Sequence, residues 1–280
     1  MERFFISKSP KSEVLSQFIS HYYFHKSTEL NQKLDFHYYP NTKNALTIYA
    51  NSKVEIIDGA HSRTLPNDEG LTIQYSHLFN QIGRAEIIGP FRKVGIVFEP
   101  LGLNHFVEQN LGKVIKQGVN LDFSYFGTPF EAVLEEVFAT EDVSLRVKLL
   151  DDFFCSALLD FQDVRFKEII TYLNNDDSQF SVDTIANREK INRKTLLRLF
   201  NKHLDCTPKD YISLIQFRKA VELFHKNEGD GTLTEIALDS NYYDQSSFIK
   251  HFRKKTGFNP KSFFNKLTQY GKHSTFWIKD

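Results

Sequence analysis

The chain has 280 residues, enough for one large or two medium domains, and its 41% hydrophobic and 25% charged residues are typical of a globular protein. The formal net charge of zero hides a difference between the two halves of the chain. Residues 1–160 hold 15 basic and 20 acidic side chains, whereas residues 161–280 hold 20 basic and 15 acidic ones. The second half is therefore the candidate for binding phosphate. No apolar run approaches the roughly 18 residues of a membrane span, and the first residues lack a secretory signal pattern, so we expect a cytoplasmic protein without membrane contact.

The first hundred residues predict one helix followed by short strands. Residues 11–25 place apolar side chains at helical spacing. From Asn44 to Glu99, short β-rich runs alternate with turn residues, which predicts an antiparallel sandwich or barrel. The predicted strands are 45–50, 53–57, 71–75, 84–88 and 93–98, with breaks that include 51–52 and 66–67.

Helical periodicity returns after Pro100. We expect a short helix at 103–110, a loop at 118–127 and two longer helices at 129–138 and 144–161. The last of these has a broad apolar stripe. The two longer helices would pack either on the sheet or across a dimer, and the sequence leaves both arrangements open.

The pattern of the remaining chain is helical. A first helix is expected at 164–173, and Ser181 is a candidate N-cap for the next one at 182–187. A helix at 211–224 is long enough to form a rigid spine, and 227–231 makes a turn after it.

One spacing pattern occurs twice in this helical part. Both copies follow apolar-x3-aromatic-x7-Pro-x2-aromatic, so every spacing agrees over sixteen positions. Self-similarity of this kind indicates two copies of one structural unit. The first copy is Leu196, Phe200, Pro208 and Tyr211, and the second is Phe248, Phe252, Pro260 and Phe263.

Each copy has the layout of a helix-turn-helix, in which one helix braces the DNA backbone and the next lies in the major groove. In the first unit, Ala186 is the small residue where the two helices cross, and Asn192 can cap the second helix. In the second unit, Ala237 and Asp244 take these roles, with Asn241 at the turn. The alternative is a solvated basic face, which would have to occur twice with matching spacing. We therefore predict two helix-turn-helix units.

Three segments carry both units. They are Asn192-Arg-Lys-Thr-Leu-Leu-Arg-Leu-Phe-Asn-Lys, Thr207-Pro-Lys-Asp-Tyr-Ile and, most specific, the run from Glu235-Ile-Ala-Leu-Asp to Gly257-Phe-Asn-Pro. They resemble the DNA-binding domain of the AraC/XylS family of bacterial transcription regulators, over about residues 164–267. The resemblance implies a monomeric seven-helix module whose two recognition helices enter successive major grooves on one face of the DNA.

By position in the family motif, the outward residues of each recognition helix are expected to contact DNA. Arginine can pair with guanine, glutamine can recognise adenine, and a leucine offers only an apolar contact. The expected base contacts are Arg193, Lys194, Leu197 and Arg198 in the first helix and Gln245, Ser246, Ser247 and Lys250 in the second. The expected phosphate contacts are Lys202, Arg253, Lys254, Lys255 and Lys261.

The chain departs from the family pattern at three turn positions. Where the family usually has glycine, this sequence has Lys190, Asn241 and Asp205. A lysine in the left-handed conformation costs about 1 kcal/mol or more. Lys190 is therefore expected either to avoid that conformation or to strain the first unit slightly.

The front half resembles the sensor domains of a subgroup of these regulators, in the segments 36–40 and 93–100. The expected fold class is α+β, with an N-terminal cupin-like β-barrel or sandwich with helices and a C-terminal all-α domain with two helix-turn-helix units. The expected division is a β-rich sensor domain at 1–125, helical linker or dimerisation helices at 126–162, the DNA-binding domain at 163–270 and a C-terminal tail at 271–280.

The sequence predicts neither an enzyme nor a cofactor. His21 and His25 would lie one helical turn apart, a spacing that zinc sites use, but no metalloprotease motif or paired-histidine cupin motif accompanies them. We expect ordinary surface or core histidines and no metal. No nucleophile elbow is present. Cys155, on an apolar helical face, and Cys206 are expected to be reduced structural thiols.

Two functional hypotheses remain. The first is a sequence-specific transcription regulator controlled by a small effector bound to its N-terminal domain. The second is a DNA-binding regulator whose N-terminal domain only dimerises or contacts a partner protein, which would show a filled barrel and an exposed apolar face on the helices of 129–161. The expected partners are double-stranded DNA, RNA polymerase, a small-molecule effector and a second copy of the chain.

Overall fold

The computed structural model describes residues 3–77, 82–115, 118–176, 178–226, 232–270 and 275–279. It consists of a curled sheet with covering helices, followed by an all-helical domain. This is the predicted α+β fold, a half-barrel with two helix-turn-helix units.

The sheet follows the order β1-β2-β7-β4-β5-β6-β3-β10-β9, and β8 pairs with β5 off this path. Its pairings are antiparallel except for β5 with β6. The strands are β1 Arg3–Lys8, β2 Ile19–Ser27, β3 Lys33–Tyr38, β4 Asn44–Asp58, β5 His61–Ser76, β6 Gly83–Ile88, β7 Phe91–Phe98, β8 Val119–Asn120, β9 Leu267–Tyr270 and β10 Thr275–Lys279.

The helix predicted at 11–25 is wrong. A short 3-10 turn at Leu15–Gln17 leads into β2, which lies between β1 and β7. Because a central strand is buried on both faces, its apolar residues run continuously and mimic helical spacing. His21 and His25 therefore lie on one strand. Four residues of extended chain separate them by about 13 Å, so they are not neighbours on one helical face.

The predicted breaks at 51–52 and 66–67 coincide with an interruption of the pairing rather than with strand ends. β4 and β5 both continue through it, but Ala50 pairs with Leu71 and Ser52 with Pro66, so residues 67–70 of β5 lie opposite Asn51 alone. Asn51 adopts a positive φ of 51° at this register shift, and the extra residues make a bulge in β5. The other strands predicted in this region are confirmed.

The two faces of the curled sheet have different coverings. The outer face packs against α2 (Gly127–Ala139) and α3 (Val143–Ser156), the second of which ends five residues earlier than predicted. The buried Asp151 of α3 accepts hydrogen bonds from Tyr22 Oη and from the backbone N–H of Lys11. The two helices therefore pack on the sheet, which is one of the two arrangements that the sequence left open.

The inner face of the half-barrel is filled with aromatic side chains. Phe36, Tyr49 and Phe91 are buried there, and the buried Lys93 places its Nζ 5.3 to 6.0 Å from the centroids of these rings and of Tyr23. An ammonium group gains from contact with aromatic faces, which offsets part of the cost of burying its charge.

The helical domain follows after a short connection. Its described segments confirm the predicted helices, and the turn predicted at 227–231 lies outside the described residues. The helices are α4 Val164–Asn175, α5 Val182–Arg188, α6 Arg193–Leu204, α7 Pro208–Lys226, α8 Leu233–Asp239, α9 Gln245–Thr256 and α10 Pro260–Lys266.

The half-barrel side of the chain contacts the end of α6 directly. The short helix α1 (Leu111–Val114) packs on α6, and Asn104 donates from Nδ2 to the carbonyl of His203 at 3.0 Å. His77 lies beside the backbone of Leu204 and Asp205. Asp163, in the connection, accepts from His203 Nε2 at 3.0 Å. No pattern in the sequence predicts this contact between the domains.

The expected C-terminal tail at 271–280 is, where described, part of the sheet. β9 continues from α10, and β10 pairs antiparallel with both β9 and β3. The chain therefore returns from the helical domain to complete the N-terminal sheet. One thiol also differs from expectation, because Cys155 is exposed whereas Cys206 is buried; both are free.

Candidate nucleic-acid interface

The first helix-turn-helix is held by caps and by a strained turn. Ser181 caps α5 and forms a capping box with Thr184. Lys190 adopts a left-handed φ of 53°, so the strained alternative is the one observed, at a cost of about 1 kcal/mol. The turn closes through a hydrogen bond from the Ile191 N–H to the Ala186 carbonyl, at 3.0 Å.

The recognition helix of this unit, α6, separates a buried face from an exposed one. Asn192 caps it by accepting from the Thr195 N–H at 2.8 Å, and Leu196 and Phe200 are fully buried. The guanidinium of Arg193 pairs with both carboxylate oxygens of Asp183 on α5. The four predicted base-contact residues all lie exposed on its outer face: Arg193, Lys194, Leu197 and Arg198.

The second unit repeats this construction. Thr232 and Glu235 form the capping box of α8, and Asn241 takes the left-handed turn position with φ 64°. The N–H of Tyr242 donates to the Ala237 carbonyl at 3.0 Å. Asp244 then caps α9. The predicted residues Gln245, Ser246, Ser247 and Lys250 are exposed on α9, and Phe248 and Phe252 are buried beneath them.

Helix α7 fixes α9 through a hydrogen-bonded histidine that sequence reasoning missed. His251 Nε2 lies 2.6 Å from Ser213 Oγ on α7, and its Nδ1 lies 2.6 Å from Tyr242 Oη. Burial, with repulsion from Lys255 and Lys254, lowers the pKa of His251 to about 4. The ring is therefore neutral near pH 7, with one nitrogen to donate and one to accept. The sequence signal that could have predicted this role is the position of the histidine between the apolar anchors of α9.

The predicted phosphate contacts divide into exposed and buried side chains. Lys255 is only 5% exposed, and burial lowers its pKa to about 8. A buried ammonium cannot reach a phosphate without leaving its site, so Lys255 does not belong with the others. Those that are exposed are Lys202, Arg253, Lys254 and Lys261.

The helical domain has recognisable relatives. A family model described as a helix-turn-helix domain matches residues 185–266, which contain α6 and α9. The HTH-type transcriptional activator RhaS of Escherichia fergusonii is 28% identical over 139 residues, which are 46% of this chain and 49% of RhaS. The helical domain is an AraC-type helix-turn-helix domain.

Two further proteins are similar to this chain. The lactose operon transcription activator of Staphylococcus xylosus is 27% identical to this chain over 100 residues, 35% of either protein. The matched part thus spans half or less of the length of these two relatives. Wild-type ToxT from Vibrio cholerae, with unsaturated fatty acid bound, aligns over 98% of this chain and 100% of its own at 14% identity and a TM-score of 0.47.

The described parts of the chain lack two other kinds of feature, a membrane-spanning helix and a cluster of metal-binding side chains. None of the helices there is long and apolar enough to cross a membrane. Nor do these parts bring together three or more histidine, cysteine, aspartate or glutamate side chains that could hold a metal ion.

Proposed function

We propose that this protein is a sequence-specific DNA-binding transcription regulator, with α6 and α9 of its AraC-type domain as the two recognition helices. The observation that carries the proposal is the shared construction of the two units. Each presents the capped N-terminal end of a twelve-residue helix whose outer face is polar and exposed. The early residues of such a helix are those that meet base edges in the major groove.

The spine α7 supports the proposal because it ties both units into one body. Its 19 residues span about 28 Å, close to the 34 Å between successive major grooves. At its start, Tyr211 packs on Phe200 of the first unit. Farther along, Gln216 donates to the carbonyl of Asn241, at the turn of the second unit.

The two helices differ in the contacts they offer. Arg193, Lys194 and Arg198 make α6 basic, so this helix contributes more of the affinity. The neutral Gln245 and its two neighbouring serines on α9 can hydrogen-bond to more than one base, so this helix is the less sequence-specific of the two. Phosphates are bound by Lys202, Arg253, Lys254 and Lys261, without Lys255.

Selection of bound fragments from a pool of random 30-base-pair duplexes tests the function. The full chain is expected to enrich a sequence with two half-sites one helical turn apart. A variant in which Arg198 and Gln245 are both alanine keeps the exposed basic residues Lys202 and Lys254 and serves as the control. Recovery of unenriched duplexes by the unaltered protein would contradict sequence-specific binding.

We infer that a small polar effector controls the protein from the cleft between its two domains. The cleft has a cavity of about 370 Å³, within the range of small-molecule sites. Residues of both domains line it, and they include charged side chains of both signs: the cations Lys43, Arg218 and Lys219 and the carboxylates Glu99, Asp176 and Glu222. A ligand there would favour one relative position of the domains.

Thermal unfolding of the full chain with a panel of small polar compounds, anionic, cationic and zwitterionic, tests this inference. A ligand at 100 times its Kd is expected to stabilise the folded state by about 2.7 kcal/mol. Lys219→Ala should remove that gain, whereas Lys53→Ala, on the exposed hairpin, should retain it. Stabilisation that persists in Lys219→Ala would place the ligand elsewhere.

The alternative is an N-terminal domain that only dimerises or binds a partner protein, RNA polymerase included. Its filled interior favours this alternative, as does Leu145, which is exposed on α3. Light scattering of the full chain and of Leu145→Glu distinguishes the two. A dimer that dissociates in Leu145→Glu, with no small-molecule stabilisation of either form, is the result expected from this alternative.

A further inference from the structure

The second helix-turn-helix has one residue more than the first. Ile191 and Tyr242 are equivalent, because each closes its turn with the same 3.0 Å hydrogen bond to the alanine carbonyl, and they are 51 residues apart. The caps Asn192 and Asp244 are equivalent as well, but they are 52 residues apart. The extra residue is Tyr243, inserted between the turn and the N-cap of α9.

The ring of Tyr243 has no role in packing that the structure shows. Its side chain is 86% exposed, more than any other large apolar or aromatic residue described. A residue just before an N-cap often packs against the fourth residue of its helix, which here is Phe248. Tyr242 makes that contact instead, with ring centroids 5.1 Å apart. Tyr243 is therefore directed outward.

We propose that Tyr243 is an additional DNA contact, whose hydroxyl donates a hydrogen bond to a backbone phosphate at the edge of the groove that α9 enters. The inference rests on the proposed function, since it requires α9 to bind DNA. The residue lies just before the N-cap Asp244, two positions from the exposed Gln245–Ser247 end of the recognition helix. Tyrosine hydroxyls are among the groups that bind DNA phosphates and fix the protein's register on the duplex.

The local charges explain why this position suits a tyrosine. The carboxylate of Asp244 is occupied in accepting from the Ser247 N–H, at 2.6 Å, and it repels phosphate close to the backbone. A long, rigid side chain carries its donor beyond that carboxylate. The aromatic ring also loses few rotamers on binding. Unlike lysine, the neutral hydroxyl displaces no condensed counterion when it binds.

The test is the affinity of the full chain for its selected duplex and for a random-sequence 30-base-pair duplex, over a series of salt concentrations. Tyr243→Phe removes only the hydroxyl, and a hydrogen bond to a charged group is worth roughly tenfold in affinity or more. Both duplexes should therefore be bound about tenfold more weakly, with an unchanged salt slope. Tyr125→Phe is the matched control, because Tyr125 is an exposed tyrosine of the N-terminal half.

The possible results separate this inference from the function on which it rests. If the unaltered chain binds no duplex, the proposed function fails. If it binds and Tyr243→Phe binds equally well, the phosphate contact is refuted while the function stands. If Tyr243→Ala loses binding but Tyr243→Phe does not, the ring makes the contact, and the proposed hydrogen bond from the hydroxyl is refuted as well. Unchanged thermal unfolding of the variants excludes misfolding as the cause.

Discussion

Gly112 packs against the backbone carbonyl of Asn201, so closely that a Cβ on Gly112 would lie 1.8 Å from that oxygen. Gly112 belongs to the N-terminal half, whereas Asn201 lies on the first recognition helix, α6. Only a residue without a side chain permits this approach. The contact between the two domains therefore depends on Gly112, and it acts on a helix that is proposed to read DNA.

Gly112→Ala is expected to destabilise the folded chain by about 1–3 kcal/mol, because the added methyl group must displace a backbone carbonyl. Chemical denaturation followed by circular dichroism measures the change. Gly59→Ala is the matched control, since a Cβ there meets nothing within 4 Å. Equal stability of the two variants would show that the packing of α1 on α6 is loose in solution.

Arg198→Ala is expected to weaken binding of the selected duplex by about 1–3 kcal/mol and to relax one position of its sequence. The reason is the loss of a bidentate pair to a base. Titrations on selected and random duplexes measure it, with Arg165→Ala on the exposed side of α4 as the control. Equal losses on both duplexes would reassign Arg198 to a phosphate.

Two neighbouring lysines of α9 are expected to behave differently. Lys254→Ala removes an exposed cation and should reduce the salt slope of duplex binding by about 1, with equal loss on all sequences. Lys255→Met exchanges a buried ammonium for an apolar chain of similar length and should leave the slope unchanged. A reduced slope in Lys255→Met would mean that Lys255 reaches the DNA after all.

The stability of the fold should decrease as the pH is lowered from 6.5 to 4. Burial lowers the pKa values of His77 and His251 from 6.5 to about 4. In this range the unfolded chain binds protons that the folded chain does not, so the free energy of unfolding falls as the pH falls. Denaturation at pH 7 and pH 5 measures the loss. The double variant His77→Gln, His251→Gln should show a smaller pH dependence than the unaltered protein, and an identical one would exclude these two groups.

The helical domain was predicted well because its signals are local. The caps Ser181, Asn192 and Asp244 and the buried anchors recur at fixed spacings within each unit, and all take the predicted roles. The sheet was predicted less well, because the burial of β2 depends on partners far along the chain. The burial of Lys255 was missed for the same reason: its neighbours in sequence are exposed cations, and only the packed domain distinguishes it from them.

The pairing of β10 with β3 makes the helical domain an insertion within one sheet. The chain leaves that sheet after β8, builds all seven helices from α4 to α10, and returns with β9 and β10. During synthesis on a ribosome, the edge of β3 therefore stays unpaired on that side until β10, which follows all seven of these helices, has emerged. β9 and β10 then join the helical domain back to the sheet.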